Sequence, residues 1–211
     1  MSDKKPDLGA AYVLKTPEDS KRLYRDWAES YDADFARAHD YRLPQATADA
    51  FADGRGAGPV LDVGAGTGLL GAAPAKRGIG PIDGLDISEE MLEAARRKGA
   101  YRALSPADPT KPLPIARENY AGITSSGTFT HGHVGPEALD GLIAVAAPGA
   151  LFALSINAGV YAARGFDAKF DTLGDMIAGL ELLDVPIYGD SGAADHAGDR
   201  ALPASANAEA A

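Results

Sequence analysis

Asp62, Gly64, Gly66 and Gly68 stand at alternate positions and carry the strongest chemical signal in the chain. They close an apolar run, Pro59 to Val63, interrupted only by Asp62, which predicts a short buried strand. The three glycines remove Cβ where the chain must turn sharply, and they let a ligand lie directly on the backbone. A helix is expected from about Thr67 to Arg77, its first N–H groups aimed at whatever sits in the bend. Pro74 lies inside that helix and should bend it. Read from Gly64, the third glycine of a G-x-G-x-x-G dinucleotide fingerprint would fall at Leu69. An acid at the mouth of the turn repels a phosphate and attracts an ammonium, so Asp62 favours a cationic ligand over a diphosphate.

Two further acids follow at informative positions. Asp86 comes 18 residues after Gly68, at the end of a predicted strand over Ile82 to Ile87. That offset suits an acid accepting hydrogen bonds from both hydroxyls of a ribose. Ser88 then caps a helix with Glu89 and Glu90 in its first turn and Arg96, Arg97 and Lys98 in its last. The basic triplet is thereby explained by the helix dipole, without a nucleic-acid site. Asp108 opens an Asp-Pro turn after a third predicted strand, Tyr101 to Leu104. A fourth, Tyr120 to Ser126, runs into the loop Gly127 to Pro136, which holds His131 and His133. Either histidine could serve as a general base, or simply bond within the loop. Two histidines with no cysteine and no nearby paired acids give little basis for a metal site, and none is expected.

The pattern D-x-G-x-G-x-G resembles motif I of the class I S-adenosylmethionine-dependent methyltransferases. That resemblance implies that Asp62 faces the ammonium end of the cofactor. It implies too that the backbone of Gly64, Ala65, Gly66, Thr67 and Gly68 lies against the methionine part and ribose. Gly84 to Leu92 resembles the family's second motif, which implies Asp86 on the ribose, Ile87 and Met91 packed on the adenine, and Ser88 among the cofactor-binding residues. Asp108 would accept the adenine amino group. Trp27, Tyr31 and Asp32 resemble a lid that closes over the cofactor and keeps water from the sulfonium. The run Ser126 to Pro136 is similar to the Williams–Beuren-region methyltransferase-like family, which implies that Gly127 and Thr128 open a loop facing cofactor and substrate. The resemblance extends over roughly residues 20 to 190.

The chain has 211 residues, enough for one α/β domain. It has no cysteine, which suits a reducing compartment, and the expected location is cytoplasmic. No signal peptide or membrane span is read. A net charge of −10 argues against a nucleic-acid partner. The expected organisation is a flexible leader over 1–16 and a methyltransferase domain over 17–195 that includes a lid helix over 17–38. Residues 196–211 then form a loose tail or a short last strand, because Pro203 suits an interior strand poorly. Helices are read over 46–52, after Pro136, and over most of 161–180; strands are read over 150–157 and 182–188. Alternating β and α elements predict a doubly wound α/β fold with a mostly parallel seven-stranded sheet. The implied function is methyl transfer from S-adenosylmethionine to an O, N, S or C nucleophile of a small molecule. A non-catalytic S-adenosylmethionine-binding protein and an NAD(P)-dependent oxidoreductase are the alternatives. A homodimer is compatible with the sequence.

Overall fold

The four residues of β1 (Val60–Val63) are all buried, and the sheet is built outward from them. The computed structural model describes residues 7–14, 16–189 and 198–209. β2 (Ile82–Asp86) and β3 (Ala103–Pro106) extend the sheet on one side of β1, and β4 (Tyr120–Phe129) and β5 (Ala146–Asn157) on the other, all parallel. Beyond β5 the chain adds β6 (Ile177–Leu182), the two-residue β7 (Val185–Pro186) and β8 (Arg200–Ala208). β8 runs antiparallel between β5 and β6. The order β3-β2-β1-β4-β5-β8-β6 reverses direction between β1 and β4. Such a reversal opens a crevice at the carboxyl ends of the strands, where ligands bind in open α/β sheets.

Parallel strands must be covered on both faces. The helices are α1 (Leu8–Tyr12), α2 (Pro17–Trp27), α3 (Leu43–Asp53), α4 (Ala72–Lys76), α5 (Glu89–Arg96), α6 (Ala138–Val145), α7 (Ala158–Tyr161) and α8 (Phe166–Leu173). On one face Phe51 of α3 packs with Val60 and Ile82; on the other Leu139 and Leu142 of α6 and Phe166 of α8 pack with Leu61 and Val63. A third apolar cluster joins Trp27 and Phe35 to Ile187 and Tyr188, so the N-terminal segment is fixed to the far end of the domain.

Several elements differ from expectation for identifiable reasons. The helix after the glycine turn covers only Ala72–Lys76, not Thr67 to Arg77. Gly66 (φ +53°) and Gly68 (φ +83°) are left-handed and cannot lie in an α-helix, and Pro74 has no N–H to donate. The segment 161–180 is not one helix: left-handed Gly165, Gly174 and Gly179 interrupt it, and Ile177 starts a strand. The sixth strand thus begins five residues before the expected Leu182. Residues 8–12, inside the expected leader, form a helix capped by the Asp7 side chain, which accepts from Ala10 N at 2.8 Å, and Leu8 is buried. The lid segment is not a continuous helix over 17–38: α2 ends at Trp27 and a π-helical turn follows over Asp32–Arg37.

The last strand is nine residues long and interior, neither short nor loose. Pro203 is tolerated because of where its missing N–H would point. Its carbonyl accepts from Leu183 N at 3.0 Å, and a strand residue's N–H and C=O face the same side. The gap therefore falls where β6 gives way to β7, and the ladder to β5 is spared. The expected boundary at 195 lies outside the described residues, as do residues 1–6 of the leader.

Candidate functional site

The carboxyl ends of β1, β2 and β4 enclose a cleft of about 970 Å³, including the part open to solvent. Asp86, at the end of β2, organises its floor. One carboxylate oxygen accepts from Gly66 N at 2.9 Å and the other from Ser88 N at 2.8 Å. With a further backbone contact from Ile87, up to three of its roughly four acceptor sites are used, which leaves acceptor capacity on a residue that lines the cleft. Burial raises its pKa, and these backbone bonds oppose the rise. A Cβ built on Gly66 would meet nothing within 4 Å, so the floor here is open space. At Gly64 a Cβ would overlap the Thr128 hydroxyl. Thr128 is held by its bond to Val63 O at 3.1 Å, and Ser125 Oγ donates to the same carbonyl at 2.7 Å. Between Ser125 and Phe129 the β4–β5 register shifts, and left-handed Gly127 (φ +75°) turns Gly127 and Thr128 into the cleft. Ala65, Thr67, Ile87 and Met91 also line it.

Asp62 does something other than expected. It is fully buried beneath the turn and does not line the cleft. Tyr101 OH donates to its Oδ2 at 2.6 Å and accepts from Gly71 N at 3.2 Å. Burial pushes the Asp62 carboxyl up to about 7, the Tyr101 bond opposing the rise and the Asp86 charge adding to it. Asp62 therefore holds the underside of the turn, with its Oδ1 left unpaired among the described residues, and stands behind the cleft lining. Tyr101 precedes the strand, which starts at Ala103 and not at Tyr101, and its side chain turns under Gly68 and Gly71. Gly68 packs against Tyr101 and Ala95, outside the cleft lining. Ser88 is also outside it: its hydroxyl caps α5, accepting from Met91 N at 3.3 Å. Gly66, Gly68 and Gly71 do satisfy dinucleotide spacing in a second register. Gly71, however, faces the Tyr101 ring, and the five-residue α4 begins only at Ala72, so no helix N-terminus overhangs the turn for a diphosphate. Asp108 lines the cleft with Pro109 and Thr110. Its bonds to Thr110 N (2.9 Å) and Thr110 Oγ1 (2.6 Å), together with Lys111, hold its carboxyl below the usual range despite partial burial.

The N-terminal segment forms the roof. Tyr31 lines the cleft; Trp27 does not. Trp27 is packed edge-on against Tyr31 (5.2 Å between ring centres) and Phe35 (5.4 Å), so it shapes the roof from behind. Asp32 ties the roof to the floor. Its Oδ1 accepts from Thr67 Oγ1 at 2.6 Å, and its Oδ2 pairs with Lys98 Nζ at 2.6 Å. The same ammonium donates to Thr67 O at 2.5 Å. The basic triplet is thus more than dipole chemistry. Arg96 pairs within α5 with Glu93, but Lys98 and Arg97 reach Asp32 and Glu29 of the roof. Pairs this exposed contribute up to about 1 kcal/mol each. Lys98→Ala should therefore speed amide exchange over residues 31–37 several-fold while leaving β1 amides unchanged. Equal protection of 31–37 in the variant and the parent would exclude a tie.

His133 lines the cleft, whereas His131 lines only an adjoining cavity. His133 Nδ1 lies 2.7 Å from His131 O, which assigns the proton to Nδ1. Nε2 then accepts from Tyr24 OH at 3.1 Å. Burial lowers the His133 pKa, which favours the neutral ring. Tyr24 and Tyr41 also line the cleft and were missed. Tyr24 was recoverable: it stands seven residues before Tyr31, two turns away on one helix face. Among the described residues no group of three or more His, Asp or Glu could hold a metal ion. No helix among them is long and apolar enough to cross a membrane.

Residues 60–149 match the family described as a methyltransferase domain. The chain is 31% identical over 151 residues to methyltransferase-like protein 27 of Homo sapiens, covering 69% of this chain and 61% of that protein. It is 36% identical over 101 residues to a ubiquinone biosynthesis O-methyltransferase of Neisseria meningitidis, covering 47% of this chain and 40% of that one. The chain thus spans about six-tenths or less of these relatives' lengths. Among solved structures, an S-adenosylmethionine-dependent methyltransferase from Mesorhizobium loti superposes with a TM-score of 0.54 at 18% identity, covering 72% of this chain and 91% of that one.

Proposed function

We propose, from the premise that this chain carries a class I S-adenosylmethionine-dependent methyltransferase domain, that its cleft binds this cofactor and methylates a small molecule. The observation that carries the reading is Asp86, bridging Gly66 N and Ser88 N beside the open floor at Gly66. A carboxylate with acceptor capacity left over suits the paired hydroxyls of a ribose. When bound, the cofactor supplies a methyl group already activated on a sulfonium. The chain's own work is then placement and dehydration. Ile87 and Met91 would flank the adenine and Asp108 its amino group. The backbone of Gly64 to Thr67 would support the amino-acid end, without a direct contact from Asp62. Tyr31 and the tie from Asp32 to Thr67 would keep water out. A small-molecule acceptor is compatible with the name of the Neisseria meningitidis relative. An interior location is supported by the cysteine-free composition.

Calorimetry tests the cofactor assignment. S-adenosylmethionine and S-adenosylhomocysteine should bind one to one, and NAD should not. NAD binding without either of the others would overturn the assignment in favour of an oxidoreductase.

A further inference from the structure

A second cavity opens beside the cofactor cleft and shares Tyr24, Tyr31, Tyr41, Gly127 and His133 with it. Phe35, Phe129 and Tyr188 supply further aromatic wall. Tyr24 and Tyr31 meet edge to face at 6.1 Å, and Tyr41 and Tyr188 lie 6.0 Å apart. None of the described residues lining this cavity is Asp, Glu, Lys or Arg, in a chain that is 24% charged. Some of its polar side chains are already committed. Ser155 Oγ accepts from Gly127 N and Asn157 Oδ1 from Gly159 N, each at 2.9 Å. The Tyr24–His133 pair stands on the shared wall, where a molecule in the second cavity would meet the cofactor cleft.

We propose that this cavity holds the methyl acceptor, an uncharged ring-bearing molecule with a hydroxyl, whose proton leaves through Tyr24 to His133. The inference rests on the reading of the larger cleft as the S-adenosylmethionine site. A carboxylate or an ammonium placed here would be desolvated with no opposite charge among the described lining residues. An aromatic ring instead finds faces and edges suited to offset and edge-on contact. Tyr24 donates to His133 Nε2, and a phenolic oxygen that donates its proton can also accept one. In the reaction the acceptor oxygen forms a bond to the methyl carbon as the carbon–sulfur bond breaks. The electron pair of that bond stays on sulfur, leaving a neutral thioether. The hydroxyl proton passes to Tyr24 Oη while Tyr24's own proton passes to His133 Nε2, so the positive charge moves from sulfonium to imidazolium. The groups around His133 are Tyr24 from α2, His131 on its own loop and Arg164 after α7, which donates to His133 O at 3.3 Å. Among these described groups none is an anion, so no counter-charge holds the proton on the imidazolium.

The test uses the full chain. S-adenosylhomocysteine is titrated first; its failure to bind would remove the cofactor-site reading itself. The loaded protein is then titrated with 2-naphthol, protonated 2-naphthylmethylamine and 2-naphthoate, which share one ring system. The expected result is binding of 2-naphthol, at least about tenfold tighter than either charged analogue. No binding of 2-naphthol, or tighter binding of the amine or the carboxylate, would overturn the proposal. With labelled S-adenosylmethionine, 2-naphthol should be methylated. Tyr24→Phe and His133→Gln should each lower kcat on the order of 100-fold or more, with KM and S-adenosylhomocysteine affinity changed less than about threefold. Bound but unmethylated 2-naphthol, or an undiminished kcat in both variants, would equally refute it.

Discussion

Gly64→Ala should abolish cofactor binding and destabilise the fold by several kcal/mol. Gly64 has φ +69°, and an L-residue held there costs roughly 1–2 kcal/mol. The added Cβ would also overlap the Thr128 hydroxyl and lie 3.0 Å from both Cβ and Cγ2 of that residue. Thr128 cannot step aside cheaply, since its hydroxyl bonds to Val63 O. Both residues line the cleft, so relieving the contact deforms the binding surface itself. Gly78→Ala is the control: φ there is +75°, but a Cβ would meet nothing within 4 Å, so only backbone strain is added. Gly64→Ala combined with Thr128→Gly should recover at least about 1 kcal/mol relative to the sum of the single changes. Denaturant melts and calorimetry with S-adenosylhomocysteine measure both quantities. Strictly additive effects would rule out the steric account.

Asp62→Asn should stabilise the protein, and the gain should depend on pH. Burial pushes the Asp62 carboxyl from 3.8 to about 7. Between those values the folded chain keeps the proton and the unfolded chain has lost it. An acid raised in this way makes stability fall as pH rises through the window, by about 1.4 kcal/mol per pH unit. The full penalty, about 4 kcal/mol, is in place above the folded value and absent below the unfolded one. Asparagine keeps a carbonyl for Tyr101 OH and carries no charge. Unfolding free energies of parent and variant at about pH 5 and about pH 8 should therefore diverge by roughly 3 kcal/mol more at the higher pH. A pH-independent difference would mean that Asp62 is already charged when buried. Asp83 and Asp108 titrate in both proteins and cancel, whereas Asp86, whose charge raises Asp62, is coupled to it and contributes to the measured difference.

The contrast between Asp62 and Asp86 marks what sequence could decide here. Both were legible as acids at the ends of strands beside a glycine turn, and the fold class followed from the alternation of elements. The local rules worked where one segment supplies both partners, as in Ser88 capping α5. They failed where the partner came from elsewhere in the chain. Asp62 was assigned to a ligand because nothing in its neighbourhood reveals Tyr101, which arrives 39 residues later and takes the carboxylate beneath the turn. Lys98 satisfied a helix dipole on paper, yet it binds Asp32 of the roof across a separation no periodicity encodes.

By itself the sequence determined the strand–turn core, the glycines of its turn and the acid at the end of the next strand, since backbone geometry and offset along one βαβ unit set these. Tertiary structure alone decided which acid faces the cleft, what closes it, and that Tyr24 and His133 meet on the wall of an uncharged second cavity. Those contacts join residues 109 positions apart, and only the docking of the N-terminal helix against the loop after β4 brings them within a hydrogen bond.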